Sequence, residues 1–280
     1  MAISYLVWNI RHFKGDPDRV QEVSELITEL DPDVFGLLEF KAKSVMRTML
    51  LEIFPNYDFA ITDSRMGTEI VVGWRKGKFQ QAIWTQKREF RSGNEFLRPG
   101  SLLSVSENNS LYNFLFLHTD SGTKNKDYKN RQNMFKKVWK LNERLTDISS
   151  TNTPNLVVLG DLNTMGKGSS FTGEMEIDNL KRDANDNNMK MLVKDANYTW
   201  HNWGQGPRDD RRPLTPDKLA NADKSDLDHV IVSNGLNVIK AGINDADIHV
   251  KGWNQLSGQE CCDFLWDISD HSAIYGKIES

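Results

Sequence analysis

Seven short β-branched or aromatic runs punctuate this chain: Ile3–Trp8, Val34–Leu38, Ile70–Trp74, Leu111–Leu117, Leu156–Leu159, His229–Val232 and Ser272–Ile278. Their length and composition predict strands. Six of them begin or end on a polar side chain that a buried strand does not need. Trp8 leads to Asn9, Leu38 to Glu39 and Leu117 to His118. Leu159-Gly160 leads to Asp161, with Asn163 two residues on, Asp228 precedes His229, and Asp270-His271 precedes Ser272. Strand ends on one rim of a sheet combine a rigid scaffold with access to water, which is where chemistry gathers.

Two amphipathic helices separate the runs. Asp16 is an N-cap candidate with Pro17 at the first helical position, where its missing N–H costs nothing. Val20, Val23, Ile27 and Leu30 follow at helical spacing up to Asp31-Pro32. The second helix covers about Asp127 to Thr146, with Met134, Val138, Leu141 and Leu145 on one face. Polar stretches from Thr164 to Asn188 and from Asn202 to Ser225 read as long loops flanking the strongest motifs. Strands mixed with helices outside strict βαβ order imply an α/β protein of two packed sheets flanked by helices. No internal repeat or linker divides residues 1–280, so one domain is expected.

Composition narrows the function. With 38% hydrophobic and 26% charged residues, the chain can build a sizeable core and is not expected to be disordered. A formal net charge of -4 argues against coating DNA by bulk charge, but carboxylates that bind a cation lower the charge of the metal-free protein, so it does not argue against a nuclease. The opening residues lack the basic and small-residue pattern of a signal peptide. The only cysteines, Cys261 and Cys262, are adjacent, which is a poor basis for disulfides or zinc. A reducing, cytoplasmic setting is the expectation.

Each strand-end residue has a bland alternative. An Asn or Asp after a strand is usually a turn former, Glu39 could be a charge ahead of a helix over Lys41–Ile53, and His118 could be a hydrogen-bonded strand-end histidine. The ordered set decides. Acids, amides and two histidines suit magnesium or manganese rather than zinc. They also supply what phosphoryl chemistry needs: a cation site, a group to orient water and donors to hold the phosphate.

On these residues the chain resembles the endonuclease/exonuclease/phosphatase superfamily over nearly its whole length. Trp8-Asn9, Leu37-Leu38-Glu39, Gly160-Asp161-Leu162-Asn163, Asp228-His229 and Ser269-Asp270-His271 carry the likeness, Gly-Asp-x-Asn being the most specific piece. The residue before the glutamate is Leu38, where the family often has Gln. The resemblance implies a four-layer α/β/β/α sandwich of two mostly antiparallel sheets. It implies Mg2+, replaceable by Mn2+, held chiefly by Glu39 with Asn9 and Asp270. It further implies Asp161 and Asn163 positioning water or phosphate, His271 on a phosphate oxygen with Asp228 fixing its tautomer, and His118 near the leaving group, either as acid or as donor. Glu69 is a possible partner of His118, although a solvated strand-edge Glu is the plainer view.

The substrate is less legible. A nucleic acid is favoured, with Arg11, Arg131, Trp200 and Arg211 as contacts, alongside Lys14, Lys124, Lys126, Lys129, Arg208, Arg212, Trp203 and Trp253. The alternative is a phosphatase or phosphodiesterase of a small or lipid substrate, such as an inositol phosphate or sphingomyelin. A non-catalytic interaction module is disfavoured because no catalytic position is substituted.

Overall fold

A computed structural model describes residues 2–41, 46–65, 67–165, 176–202, 215–220, 222–242 and 245–279. Among them lie two large sheets. The first runs Val238–Ile239, Ala273–Glu279, Ala2–Phe13, Val34–Phe40, Glu69–Arg75 and Tyr57–Ile61, with Ile248–Lys251 also on Ala273–Glu279. The second runs Gln81–Lys87, Gly100–Glu107, Ser110–His118, Leu156–Asp161, Asp228–Ser233 and Met189–Met191. Every pairing within them is antiparallel except Ala2–Phe13 with Val34–Phe40 and Ser110–His118 with Leu156–Asp161.

Period-two alternation sends one face of each sheet into a shared interior. Ile3, Tyr5, Val7, Val34 and Val72 from the first sheet meet Leu103, Phe114, Phe116, Val157 and Val230 from the second. Each such side chain, fully buried, contributes about 1.5–3 kcal/mol. The outer face of the first sheet packs Leu6, Trp8 and Phe35 against Val23 and Ile27 of the helix Pro17–Leu30. The outer face of the second packs Leu115, Leu117 and Val158 against Met134, Phe135 and Val138 of Asn125–Ile148 and Leu180 of Glu176–Asp186. Helix, sheet, sheet, helix is the resulting order of layers. At Gly36 a Cβ would lie 2.1 Å from the Phe116 ring, so glycine there lets that ring fill the space between the sheets.

The expected helices are present. The first starts at Pro17 behind Asp16, although the Asp16 side chain makes no capping hydrogen bond, and stops at Asp31 in the left-handed region. The polar stretch after Thr164 is not wholly a loop, because residues 176–186 are helical. Only Leu180 and Ala184 supply its buried apolar contacts beside Glu176 and Asn179, too few for a periodic signal. The strands Gln81–Lys87 and Gly100–Glu107 are also absent from the runs that predict strands. Serines alternating with Leu103 and Val105 dilute the one, and the other has an exposed Ile83 on its outer side. Among the described residues, no helix is long and apolar enough to cross a membrane.

Strand direction delivers the polar ends to one rim. In parallel register Asn9 lies opposite Leu38, next to Glu39, and His118 lies opposite Asp161. In antiparallel register Asp161 lies opposite Asp228. Gly160 makes the close approach possible: at φ 149° its missing Cβ would sit 1.8 Å from the Leu117 carbonyl oxygen of the parallel neighbour. Gly160→Ala is therefore expected to cost at least ~4 kcal/mol, since backbone must move. Gly77→Ala, in a left-handed turn with nothing within 4 Å, should cost about 1 kcal/mol. Urea denaturation of the two variants checks the contrast, and comparable losses would contradict it.

Candidate active site

The rims of the two sheets meet through Asn9. Its Oδ1 accepts the Arg11 backbone N–H at 3.0 Å, which turns the amide nitrogen toward the acids. Nδ2 donates to Asp161 Oδ2 at 2.9 Å and lies 3.4 Å from both Glu39 Oε1 and His271 Nε2. A fixed backbone donor settles which end of the amide is which. Asn9, expected to help hold a metal directly or through water, presents its N–H groups to the acids in this arrangement.

Glu39 sits at a bulge with φ 63°, where pairing with both neighbouring strands shifts register. Arg11 and His12, on the facing bulge, and Asn163 also have positive φ. Such backbone costs roughly 1–3 kcal/mol per residue and concentrates at functional sites. The His12 backbone N–H and ring Nδ1 both lie on Glu39 Oε2, at 3.0 and 2.8 Å. Burial alone would raise the Glu39 carboxyl. The His12 hydrogen bond, with His118 and the Arg98 guanidinium close by, outweighs it and holds the group far below the usual range.

Asp161 is 2% exposed. Its Oδ1 accepts the Asn163 N–H at 3.0 Å, a turn that also brings the Asn163 amide onto the Thr119 carbonyl at 3.2 Å. Burial, with Asp228 and Glu39 nearby, raises its pKa against the pull of His271 and Asn9. His271 lies 3.8 Å from Asp161 through Nε2 and 2.8 Å from Asp228 Oδ2 through Nδ1. Burial disfavours the charged ring, but Asp228 and Asp161 override it and lift His271 to about 10. His118 is the opposite case. Burial and the Arg98 charge push it well below the ordinary imidazole value, despite Glu39 Oε1 at 3.7 Å and Asp161 Oδ2 at 3.4 Å.

Local sequence explains the precision. Ser269 Oγ donates to the Asn9 carbonyl at 2.7 Å and accepts the His271 N–H at 3.1 Å, and the Trp8 indole donates to the His271 carbonyl at 2.9 Å. Trp200 bridges to His271 and its indole donates to Asp270 Oδ2 at 3.2 Å.

The donor set fits a hard divalent cation. Asp161, Asp228 and His271 offer ligand-type atoms within 4.8 Å of one another. Since His271 Nδ1 is committed to Asp228 and the ring is held charged, that triad does not favour a nitrogen ligand. Carboxylate oxygen is the better donor: Glu39 is ionised, and Asp270 Oδ1 is buried without a hydrogen-bond partner.

Some expected contacts lie elsewhere. Arg131 is 2% exposed, with Nε and a terminal nitrogen on the Glu176 carboxylate at 2.6 and 2.8 Å and the other on the Asp120 and Gly122 carbonyls. It is a buried internal pair, not a substrate contact, because it shares the apolar face of its helix with Met134, Phe135 and Val138. Arg11 donates to the Leu265 and Trp266 carbonyls. Trp253 is 4% exposed, packed edge-on against His201 with its indole on the Thr199 carbonyl, so it is not free to stack. Glu69 is fully buried, bound by Thr62 and Ser64 rather than by His118 or solvent. Trp203, Arg208, Arg211 and Arg212 lie outside the described residues.

Arg98 carries no such signal in the sequence. It follows no strand-like run, yet its charge interacts with Glu39, Asp161, Asp120 and Glu69 while Nε donates to Thr68 at 3.2 Å. Behind the Trp200–His201 strand is a cavity of about 390 Å³ lined by Tyr198, His201, Leu219, Lys224, Trp253 and Leu256, among others.

A model of the "Endonuclease/Exonuclease/phosphatase family" matches residues 6–271. Among solved structures, TDP2 of D. rerio complexed with a single-strand DNA product superposes with a TM-score of 0.66 at 14% identity, covering 100% of this chain and 99% of that one. A mannosyl-6-phosphatase of Bacteroides thetaiotaomicron VPI-5482 gives 0.62 at 16% identity, covering 99% and 100%. TDP2 of C. elegans gives 0.64 at 15%, covering 100% and 75%. Searched against curated proteins, the sequence matches none.

The His271–Asp228 pair predicts a signed pH effect. A histidine whose pKa is raised on folding stabilises fully below its unfolded value of 6.5, and that contribution is lost as pH climbs toward about 10. In chelator, the stability gap between wild type and His271→Gln should be largest below pH 6.5 and shrink steadily above it. Denaturant midpoints across pH 6–10 would show it, and a constant gap would contradict it.

Proposed function

The chain belongs to the endonuclease/exonuclease/phosphatase family, and on that premise we propose that it is a magnesium-dependent phosphodiesterase acting on nucleic acid. The observation that carries the reading is the unbroken run of contacts from Glu39 through Asn9, Asp161 and His271 to Asp228. Five side chains spread over the sequence thus converge on one rim.

Mg2+ would be held by the Glu39 carboxylate with the Asp270 oxygens, and when bound it offsets charge on the phosphate oxygens. The chain's own groups do the rest. Asp161, its basicity raised by burial, takes the proton of the attacking water, and Asn9 and Asn163 fix its carboxylate in line. His271, charged and steered by Asp228, points Nε2–H at a non-bridging phosphate oxygen. His118 stays neutral, so of its two expected roles that of hydrogen-bond donor fits better than that of acid. Arg98 adds a cation on the side of the site facing Glu39.

Nucleic acid is favoured because the cavity beside His201 sets the exposed Tyr198 ring and apolar walls near the Lys224 ammonium, which a base and its phosphate can use. TDP2 with its DNA product also shares the fold. The mannosyl-6-phosphatase shares it nearly as well, which keeps a small phosphate ester as the second reading.

With Mg2+, the purified protein should cleave plasmid or single-stranded DNA and stop on chelation. Release of phosphate only from sugar or inositol phosphates would favour the second reading, and no hydrolysis of any ester would refute both. Glu39→Gln and Asp161→Asn should each lower kcat by roughly 10²–10³-fold or more with unchanged circular dichroism. Arg98→Ala should act mainly on KM. Near-normal kcat in either acid variant would overturn the roles of Glu39 as metal ligand and Asp161 as base.

A further inference from the structure

Beneath Asp228 is a buried polar cluster that the chemistry above does not use. Lys194, with 7% of its side chain exposed, reaches it from the segment after Met189–Met191. Its Nζ donates to Asp226 Oδ1 and to the Asp228 carbonyl at 2.6 Å, and lies 3.0 Å from His229 Nδ1. Thr164, directly after Asn163, donates its hydroxyl to the Asp226 carbonyl at 2.9 Å and touches His229 Nε2 through the same oxygen.

Counting protons fixes the arrangement. An ammonium has three N–H and no lone pair, so all three are spent and His229 Nδ1 must be the acceptor. The ring proton is then on Nε2, donated to Thr164 Oγ1, whose own proton goes to Asp226. Nε2 also lies 3.1 Å from the Asp226 carbonyl, so its proton is shared between two acceptors.

This cluster touches the backbone of Asp228. The strand Met189–Met191 pairs only with Ile231, Val232 and Ser233, so it ends before Asp228. The Asp228 peptide groups are satisfied by side chains instead: Thr199 Oγ1 accepts its N–H at 2.9 Å, and Lys194 takes its carbonyl. Clamped on both sides, Asp228 has little freedom to swing, and its carboxylate aims at His271 Nδ1. His229 and Thr164 tie the same clamp to the Gly160–Asn163 turn that presents Asp161. We propose that Lys194, with His229 and Thr164, is a positioning device that sets the Asp228–His271 pair against Asp161, and that the Lys194 side chain is its central strut. The proposal rests on the phosphodiesterase reading for its kinetic consequence, but not for its structural one.

The test uses Lys194→Met, Thr164→Val and Thr164→Ser, read two ways. For turnover of whichever phosphodiester the wild type accepts, Lys194→Met and Thr164→Val should lower kcat by roughly 10–100-fold, as losses of supporting hydrogen bonds do, with KM changed less than about two-fold and Thr164→Ser close to wild type. In proton NMR, the far-downfield His271 Nδ1–H resonance should shift or broaden in the same two variants and return in Thr164→Ser. That second readout stands even if the wild type cleaves nothing, so failure of the proposed activity and failure of the clamp are separable. If Lys194→Met does not fold, the Thr164 pair decides alone. A folded Thr164→Val with wild-type kcat, or with an unmoved resonance, overturns the proposal.

Discussion

Glu39, Asp161, Asp228 and Asp270 crowd one rim with little water around them, and much of the rest of the structure answers that crowding. Packing carboxylates together away from water is costly, and like charges side by side add to the cost. The protein does not neutralise the acids uniformly. Glu39 is surrounded by positive or donating groups, His12, His118 and Arg98, and stays ionised. Asp228 is given to His271. Asp161 has only the Asn9 amide and the Asn163 N–H as direct donors among the described residues, and remains basic. Asp270 keeps a buried oxygen without a partner. The distribution leaves a deficit of positive charge that a divalent cation fits.

Holding like charges together requires a stiff frame. The two parallel strand pairs sit inside otherwise antiparallel sheets, and this mixture places C-terminal strand ends beside the N-terminal ends of Asp228–Ser233 and Ala273–Glu279. The core between the sheets locks that register, because a one-residue slip would turn every apolar side chain outward. Left-handed backbone at Glu39 and Asn163 then aims the side chains off the strand axis. The strain is borne because Phe114, Phe116, Val157 and Leu159 on one sheet and Val7 and Leu38 on the other leave the rim no alternative packing.

What the sequence disclosed follows from this division of labour. Residues that end an apolar run are conspicuous, since a polar group there has no packing purpose, and Asn9, Glu39, His118, Asp161 and His271 all stand out on that ground. Two packed sheets flanked by helices are legible from the mixture of strands and helices, but strand order is not, because strands such as Gly100–Glu107 hide behind alternating serines. Groups reaching the rim from outside the runs leave no pattern: Arg98, His12, Thr199 and Lys194 are placed by tertiary contacts alone. Arg131 is different. Its offset of three from Met134 and seven from Val138 puts it on the buried face of its helix, so periodicity could have identified it as a core arginine seeking a carboxylate, which Glu176 supplies.

The contrast between the two histidines shows how one buried environment sets opposite behaviours. Both rings lie within 4 Å of Asp161, and burial works against the charge on each. The deciding difference is on the far nitrogen. His271 has Asp228 at 2.8 Å there, so its proton is held and the ring stays charged. His118 Nδ1 is buried with no partner, and Arg98 repels a charged ring from the other side. Exchanging the partners would exchange the roles. Environments that drive two titratable groups apart are how one fold assigns donor and charge carrier at a single pH, and here the assignment depends on the aim of Asp228 toward His271.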